Sequence, residues 1–186
     1  MEPSQEYLDA VAKGTAFQLK ESAWAGYDVK NYAEEIKCLR KHHRAKTLLD
    51  YGCGKGHQYT VKSPPFDKVT GFRSYYLFDP CVEAYKQPPR SNRKFDAIIC
   101  LQVIRHIPDK DIPWLKDYFE RTAKKFVIIG HVNGITYKET FKFIKEKKMW
   151  LGHSIKSGDR EFQVHDSYKL SSKSQRVVDG KKYVRV

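Results

Sequence analysis

Short apolar runs alternate with amphipathic segments along most of this chain. Four of these runs have the length and the apolar content of buried strands. They lie at residues Thr47–Leu49, Tyr75–Asp79, Phe95–Leu101 and Lys125–Ile129. An acid closes each of the first two runs, and the third is continuously apolar, which is typical of a strand buried on both faces of a parallel sheet.

Helical patterns occupy the segments between these runs. In the first segment, Tyr32, Ile36, Leu39 and His43 follow one another at spacings of three or four, so one apolar face can cover the edge of a sheet. Asp109 or Asp111 is expected to cap a later helix. In chain order, the predicted helices cover residues 29–43, residues 57–61 before the prolines at 64 and 65, a segment that begins at Ile112, and residues 137–148.

This order of elements predicts an α/β fold of the Rossmann-like, doubly wound kind, with a mostly parallel twisted sheet and helices on both faces. The segments LGHSI and REFQV, joined by a turn at Gly158, predict a C-terminal antiparallel hairpin. Residues 80–94 are too few to form both a further strand and a helix, so this part of the fold is expected to be abbreviated.

The length of 186 residues indicates one domain. We divide it into a helical N-terminal region (1–45), a core (46–130) and a basic C-terminal part (131–186). No stretch of about 18 apolar residues occurs, so we expect a soluble, cytoplasmic protein rather than a membrane protein. The cysteines lack any C-x-x-C pair, so neither a metal site nor a disulfide framework is predicted. They are Cys38, Cys53, Cys81 and Cys100.

Positive charge is concentrated in two places. The chain has a formal net charge of +13, and residues 137–186 contain ten Lys and three Arg against six acids. A second cluster, IKCLRKHHRAK, covers residues 36–46. Such density favours a polyanionic partner such as nucleic acid, because neutralised phosphates release counterions. The alternative is a solvated, lysine-rich surface.

The segment TLLDYGCGKGHQY, residues 47–59, carries the clearest chemistry. Asp50 closes the strand, and glycines follow at positions 52, 54 and 56. Glycines directly after a buried strand let the backbone turn tightly and approach a ligand. Ligands bind at the carboxyl ends of strands in open α/β sheets. Cys53 fits this loop as a small side chain that packs rather than reacts.

LDYGCGKGHQY, LFDP and FDAIICLQVIRHIP together resemble class I S-adenosylmethionine (SAM) dependent methyltransferases over about residues 23–130. The resemblance implies that SAM is the cofactor and S-adenosylhomocysteine its product. It assigns the glycine loop to the amino-acid part of SAM, Asp79 to the ribose, and the end of the fourth family strand to the methyl group. The implied cofactor residues are Asp50, Gly52, Cys53, Gly54, Gly56, Asp79, Leu101 and Gln102. For Asp79, an acid that caps its own loop is the alternative.

Catalytic residues are less clearly implied. Many relatives have L-E-H-I where this chain has residues 104–107, and Arg105 replaces the usual acid. His106 is therefore the matching candidate, either as a general base or as a histidine that orients the loop. His131 and Tyr137, after the next strand, are further candidates to line an acceptor pocket.

The C-terminal third, about residues 126–186, resembles EcoRI-type adenine-specific DNA methyltransferases. These enzymes require an Asn- or Asp-Pro-Pro-aromatic motif after the fourth strand, where this chain has LQVIRHIP. Ser63-Pro64-Pro65-Phe66 imitates the motif but lies close to the glycine loop, and we interpret it as a turn. A shortened or mosaic gene product, as in phages, is one expectation.

Two functions follow from the sequence. The first is methyl transfer from SAM to an acceptor, which is a small molecule, a sugar or a nucleic acid. The second is a SAM-binding or nucleic-acid-binding accessory protein of phage or mobile-element origin that has lost methyl transfer.

Overall fold

A computed structural model describes residues 2–19, 24–26, 32–133, 137–144, 149–156, 162–163, 175–178 and 181–184. The helices are α1 Gln5–Gln18, α2 Ala33–His42, α3 His57–Thr60, α4 Phe66–Thr70 and α5 Ile112–Thr122. The strands are β1 Thr47–Tyr51, β2 Ser74–Phe78, β3 Phe95–Leu101, β4 Ala123–Asn133, β5 Tyr137–Ile144, β6 Met149–Lys156, β7 Phe162–Gln163, β8 Gln175–Val178 and β9 Lys181–Val184.

Seven strands form one sheet in the order β2-β1-β3-β4-β5-β6-β7. The four strands from β1 to β4 are parallel, and all four were predicted from their apolar runs. β5, β6 and β7 continue the sheet with antiparallel pairing, while β8 and β9 form a separate two-stranded hairpin. The predicted α/β fold with a parallel sheet and a C-terminal antiparallel part is confirmed.

Each face of the parallel strands carries its own core, because successive side chains of a buried strand point to opposite faces. On one face, Ala97 and Ile99 of β3 pack with Ile36 of α2. On the other face, Ile98 packs with Phe119 of α5. The helices therefore cover both faces of the sheet, as predicted.

The helix predicted over residues 137–148 is wrong. Residues 137–144 form β5, which pairs with β4 from Phe126↔Ile144 to Asn133↔Tyr137. The aromatic positions 137, 141 and 143 are compatible with both a helical and an alternating pattern, and the exposed edge of β4 decides between them by pairing its backbone groups. Residues 145–148 and the predicted turn at Gly158 lie outside the described residues.

Asp111 occupies the N-cap position of α5, as predicted, but its carboxylate does not cap that helix. It accepts hydrogen bonds from the backbone N–H (2.7 Å) and the hydroxyl (2.6 Å) of Ser4, which is itself the N-cap of α1. Asp111 is buried, with 2% of its surface exposed. A buried acid that binds a distant serine fastens the N-terminal helix to the core.

The segment between β2 and β3 is abbreviated, as predicted. Residues 80–94 are all described and contain one short 3-10 helix, Glu83–Tyr85, and no strand. β2 therefore lies at the edge of the sheet. Among the described residues, no helix has the length and apolar content needed to cross a membrane.

Candidate active site

A cleft opens at the carboxyl ends of β1, β2 and β3, beneath α1. Its free space is about 940 Å³, open solvent at the mouth included. Of the predicted cofactor residues, seven line it: Asp50, Gly52, Cys53, Gly54, Asp79, Leu101 and Gln102. Residues far apart in sequence meet here because parallel strands end at the same edge of the sheet.

Gly56 is the predicted cofactor residue that does not line the cleft. It precedes α3 with a left-handed backbone, and a Cβ at this position would face the ring of Tyr85 at 3.1 Å. Its role in this structure is to turn the chain into α3 against the short helix after β2.

Backbone hydrogen bonds fix the glycine loop. The N–H groups of Gly52 and Cys53 donate to the carbonyl of Phe78, at the end of β2, over 2.7 and 3.2 Å. Gly52 has φ +80°, and a Cβ there would clash with the side chain of Val103. Glycine is therefore required at this position both for its backbone conformation and for the close approach of the β3 loop.

Asp50 is buried beneath this loop, with 2% of its surface exposed. One carboxylate oxygen accepts hydrogen bonds from the Tyr59 hydroxyl (2.9 Å) and from Gln58 Nε2 (3.2 Å). Burial raises the pKa of Asp50 to about 7, although these two neutral donors oppose the shift. A carboxyl group with such a pKa, facing a cleft, is a candidate partner for a cationic ligand.

Asp79 connects the first two strand ends. One of its carboxylate oxygens accepts from Gly54 N and the other from Cys81 N, both over 2.9 Å. Burial raises the pKa of Asp79, and the same two hydrogen bonds partly offset that effect. Asp79 therefore caps the loops, as the alternative interpretation expected. A carboxylate has about four acceptor positions, so two remain for a ligand.

A strap formed by Trp24–Gly26 lies across the glycine loop. The carbonyls of Trp24 and Ala25 accept from Lys55 N (2.9 Å) and His57 N (3.1 Å). Both Gly54 and Gly26 have positive φ: a Cβ on Gly54 would clash with the Trp24 carbonyl, and one on Gly26 with Gln58 Oε1. Sequence reasoning missed this strap, whose one signal was Gly26 two residues after a tryptophan.

Leu101 and Gln102 lie at the carboxyl end of β3, as the sequence predicted. Leu101 ends the strand, and Gln102 follows with φ +63°, a left-handed conformation that is uncommon for a side chain of this kind. Gln102 N donates to the Gly130 carbonyl over 2.7 Å, and its amide nitrogen donates to the Tyr32 hydroxyl over 3.3 Å. Strained backbone held by such contacts is frequent at functional sites.

His106 reaches the mouth of the cleft from a short 3-10 helix, Ile104–His106. Its ring packs against Trp24, with the ring centroids 5.1 Å apart, and the residue is exposed. It is thus not the buried histidine that one interpretation expected. The backbone of His131 lies inside β4, paired with Glu139, rather than in a loop after the strand. The side chains of Arg105 and His131 lie outside the described part of the structure.

Helix α1 forms the roof of the cleft, which the sequence did not indicate. Tyr7, Ala10 and Val11 line the cleft from above. The hydroxyl of Tyr7 lies 3.2 Å from that of Tyr51, the residue after Asp50, and the two groups share a hydrogen bond. The side of the cleft under α1 is therefore largely apolar and aromatic.

Two cysteines also line the cleft. Burial raises the pKa of the Cys53 thiol far above its ordinary value and that of Cys81 to about 11. Thiols with raised pKa values are poor nucleophiles at neutral pH. The structure therefore supports the packing role expected for Cys53.

The chain matches the methyltransferase domain family over residues 24–146 and the family described as adenine-specific methyltransferase EcoRI over residues 115–186. It is 48% identical over 61 residues to the type II methyltransferase M.EcoRI of Escherichia coli, covering 33% of this chain and 19% of that protein.

A second curated relative is the type II methyltransferase M.MpnI of Mycoplasma pneumoniae, 36% identical over 104 residues, which cover 52% of this chain and 32% of that protein. The chain thus spans a third or less of the length of the curated relatives it matches. A crystal structure of magnesium protoporphyrin IX methyltransferase (ChlM) from Synechocystis PCC 6803 with bound SAM is 15% identical, with a TM-score of 0.40 over 72% of this chain and 66% of that one.

These matches confirm both resemblances that the sequence motifs indicated. The broader match begins at Trp24 in the strap, includes the glycine loop and Asp79, and extends into the antiparallel strands. Because it covers about two thirds of the 186 residues, the chain belongs to the methyltransferase domain family.

Proposed function

We propose that this chain transfers a methyl group from SAM to an acceptor held over the loop from Gln102 to His106. One observation carries the proposal. The cleft joins the glycine loop, the two buried acids and the end of β3 in a single pocket. Methyl transfer needs the donor and the acceptor side by side, and the two halves of this cleft supply adjacent places for them.

The residues of the cofactor half fit SAM. Gly52 and Gly54 have positive φ and pack closely against Val103 and the Trp24 carbonyl, so the loop lines the cleft with backbone atoms that can contact a ligand. Asp50 has neutral hydrogen-bond donors among the described residues, and Gln58 Oε1 is buried without a hydrogen-bond partner there. The Asp50 carboxylate and Gln58 Oε1 suit the ammonium group in the amino-acid part of SAM, because buried acceptors are stabilised by a cationic donor.

Asp79 is the proposed ribose ligand. Its two backbone hydrogen bonds hold the carboxylate at the junction of the β1 and β2 loops, and its remaining acceptor positions suit vicinal hydroxyls. Cys53 is proposed to contribute as a small wall residue, and Gly56 to support the loop from behind. Leu101 and Gln102 border the methyl group in this proposal.

Bound SAM supplies a methyl group that its sulfonium has already activated, so the protein contributes mainly alignment and the exclusion of water. Helix α1 and the strap perform the second task by covering the cleft. His106 is proposed to receive the acceptor's proton or to orient the acceptor, since its ring lies at the mouth of the cleft beside Trp24. His131 is the weaker catalytic candidate.

Calorimetry with SAM and S-adenosylhomocysteine tests the cofactor site, and tritium transfer from labelled SAM tests the reaction. The label should appear in one of four offered fractions: DNA, RNA, protein or small molecules. Absence of SAM binding by folded protein would refute the proposal. Tight binding without incorporation into any fraction would favour the second candidate, an accessory protein that keeps the fold without methyl transfer.

We propose that residues 1–186 form a single domain. Within it, nucleic acid is the proposed partner of the C-terminal part. The support is the match to the EcoRI family over residues 115–186 and the excess of basic residues there. Replacing Lys181 and Lys182 by Gln should weaken binding to any sequence, because lysines on phosphates carry no base readout. Anisotropy titration at two salt concentrations measures this. Unchanged affinity and unchanged salt dependence would exclude a phosphate contact by these two lysines.

A further inference from the structure

We propose that the end of the parallel sheet opposite the cleft is a docking surface for the phosphate backbone of nucleic acid. The surface, called here the basic edge, consists of Lys41, Arg44, Lys46, Arg73, Arg93 and Lys124. It is separate from the C-terminal part discussed above, and it requires no methyl transfer.

The four segments that lead into β1, β2, β3 and β4 have an unusual composition. They are residues 40–46, 71–73, 90–94 and 121–125, and together they contain eleven Lys or Arg and no acid. Parallel strands begin at one edge, as the pairs Thr47↔Ser74 and Phe95↔Ala123 show, so these segments converge. The fold thereby gathers basic residues that lie more than eighty positions apart.

Contacts between the segments confirm that they adjoin. Arg73 N donates to the carbonyl of Lys46 over 2.9 Å, which joins the β1 and β2 ends. Lys125 Nζ donates to the carbonyl of Arg44 over 2.8 Å, which joins the β4 end to the segment after α2. Lys94 donates to the carbonyl of Arg121 and joins the β3 and β4 ends.

The charges of the basic edge are available to a partner. All six side chains are exposed. Within the described residues, Lys41, Arg44, Lys46 and Arg73 form no salt bridge. Asp96 lies at this edge and interacts electrostatically with Lys124 and Lys125, while its Oδ2 accepts hydrogen bonds from the backbone N–H groups of Lys46 and Thr47.

The spacing of this surface suits a polymer of phosphates. Four adjacent strands about 4.8 Å apart span roughly 14 Å. A DNA duplex carries about eight charges over that length, at one per roughly 1.7 Å of axis. A lipid surface is favoured less, because peripheral membrane binding combines basic with apolar side chains. The large apolar residues that are exposed in the described regions belong to none of the four segments.

The basic edge and the cleft lie at opposite ends of the same strands. β3 has seven residues, so the two sites are roughly 20 Å apart. Nucleic acid held at the basic edge therefore leaves the cleft open, and saturating S-adenosylhomocysteine should change the affinity for it by less than about twofold.

The structure also offers a purely structural role for some of these residues. Arg40, Lys41 and His42 form the last turn of α2, where positive charge stabilises the helix C-terminus. The test therefore compares two variants of the full chain that each lose four charges. One is Lys41→Gln, Arg44→Gln, Lys46→Gln and Arg73→Gln. The control is Lys13→Gln, Lys62→Gln, Lys86→Gln and Lys116→Gln, all exposed positions outside the basic edge.

Anisotropy of a short labelled DNA duplex, titrated without SAM, gives the affinity at several salt concentrations. The basic-edge variant should lose about 3.6 from the slope of log affinity on log salt, nearly one for each contact removed. The control should change the slope by less than about one. Equal losses in both variants, or no binding of wild type at low salt, would overturn the proposal.

A footprint on the wild-type protein tests the same surface without mutation, in case the basic-edge variant is unstable. The duplex should protect Lys41, Lys46 and Lys124 from an amine-reactive label and leave Lys13 and Lys86 reactive. Protection of these lysines by phosphatidylserine vesicles but not by the duplex would contradict nucleic-acid docking. Because SAM is absent from both assays, failure here is independent of failure of methyl transfer.

Discussion

The loops after β1 and β3 line one cleft but are built differently. In the β1 loop, backbone groups do the work: Gly52 and Cys53 donate to Phe78, and Gly54 donates to Asp79. In the β3 loop, a left-handed Gln102 and the exposed ring of His106 face the cleft. Backbone geometry leaves a clear sequence signature in glycines and acids, whereas side-chain chemistry can use many residue types.

Gly54→Ala should give the largest effect, because its Cβ would clash with the Trp24 carbonyl on top of an unfavourable left-handed backbone. We expect a loss of about 2–4 kcal/mol in unfolding free energy and no measurable SAM binding. Chemical denaturation and calorimetry measure the two.

Gly71→Ala is the matched control for this substitution. Gly71 also has positive φ, but its Cβ would meet Arg40 side-chain atoms at 3.4 Å, an ordinary contact. Its loss should be about 1 kcal/mol, with SAM binding retained. Equal behaviour of the two variants would show that the strap does not constrain the β1 loop.

Asp50→Asn should have the second largest effect. We expect the binding free energy of SAM to weaken by about 1.5–3 kcal/mol, the range for hydrogen bonds to charged groups. The substitution also has a pH signature. Burial holds the native pKa of Asp50 at about 7, above its ordinary value of 3.8, so the native state retains a proton that the unfolded chain loses. Wild-type stability should therefore fall between about pH 4 and pH 7, by on the order of 4 kcal/mol.

The Asn variant lacks that proton and should lose less stability over the same interval. Thermal melts of ligand-free protein at about pH 5 and pH 8 compare the two chains. SAM affinity of the wild type should rise through about pH 7, as the carboxyl group becomes charged. Parallel stability curves for both chains would mean that Asp50 is already ionised in the native state at low pH.

Asp79→Ala should weaken SAM binding by about 1–3 kcal/mol. Stability should fall as well, since Gly54 N and Cys81 N lose their acceptor. Calorimetry separates the two roles of this acid. An unaltered dissociation constant, together with reduced stability, would mean that Asp79 is only a cap.

His106→Asn should have the smallest effect. We expect turnover to fall by about tenfold, below the usual range for general base catalysis, because the methyl group is already activated. SAM affinity and melting temperature should not change, since the ring is exposed. A lower melting temperature with unchanged turnover would assign His106 to packing against Trp24.

The sequence predictions were accurate where the constraints are local and failed where contacts join distant segments. The β1 loop and its acid were predicted because strand, acid and glycines are consecutive and their constraints are local. The Trp24–Gly26 strap and the α1 roof were missed, because their contacts join residues more than thirty positions apart. The false helix at residues 137–144 has a similar cause, since no local pattern reveals that the edge of β4 will pair with it.

By itself, the sequence determined where the parallel strands lie along the chain. It also determined the glycine loop and the two acids at the ends of β1 and β2. These features depend on burial and backbone freedom, which are set by residues next to one another in the chain. Tertiary structure alone decided which distant groups close the cleft and which end of the sheet collects the basic residues. The pairing Ser4–Asp111 and the convergence of Lys46 with Arg73 illustrate the reason. Contacts between distant segments form only after the strands have paired, and no local pattern encodes them.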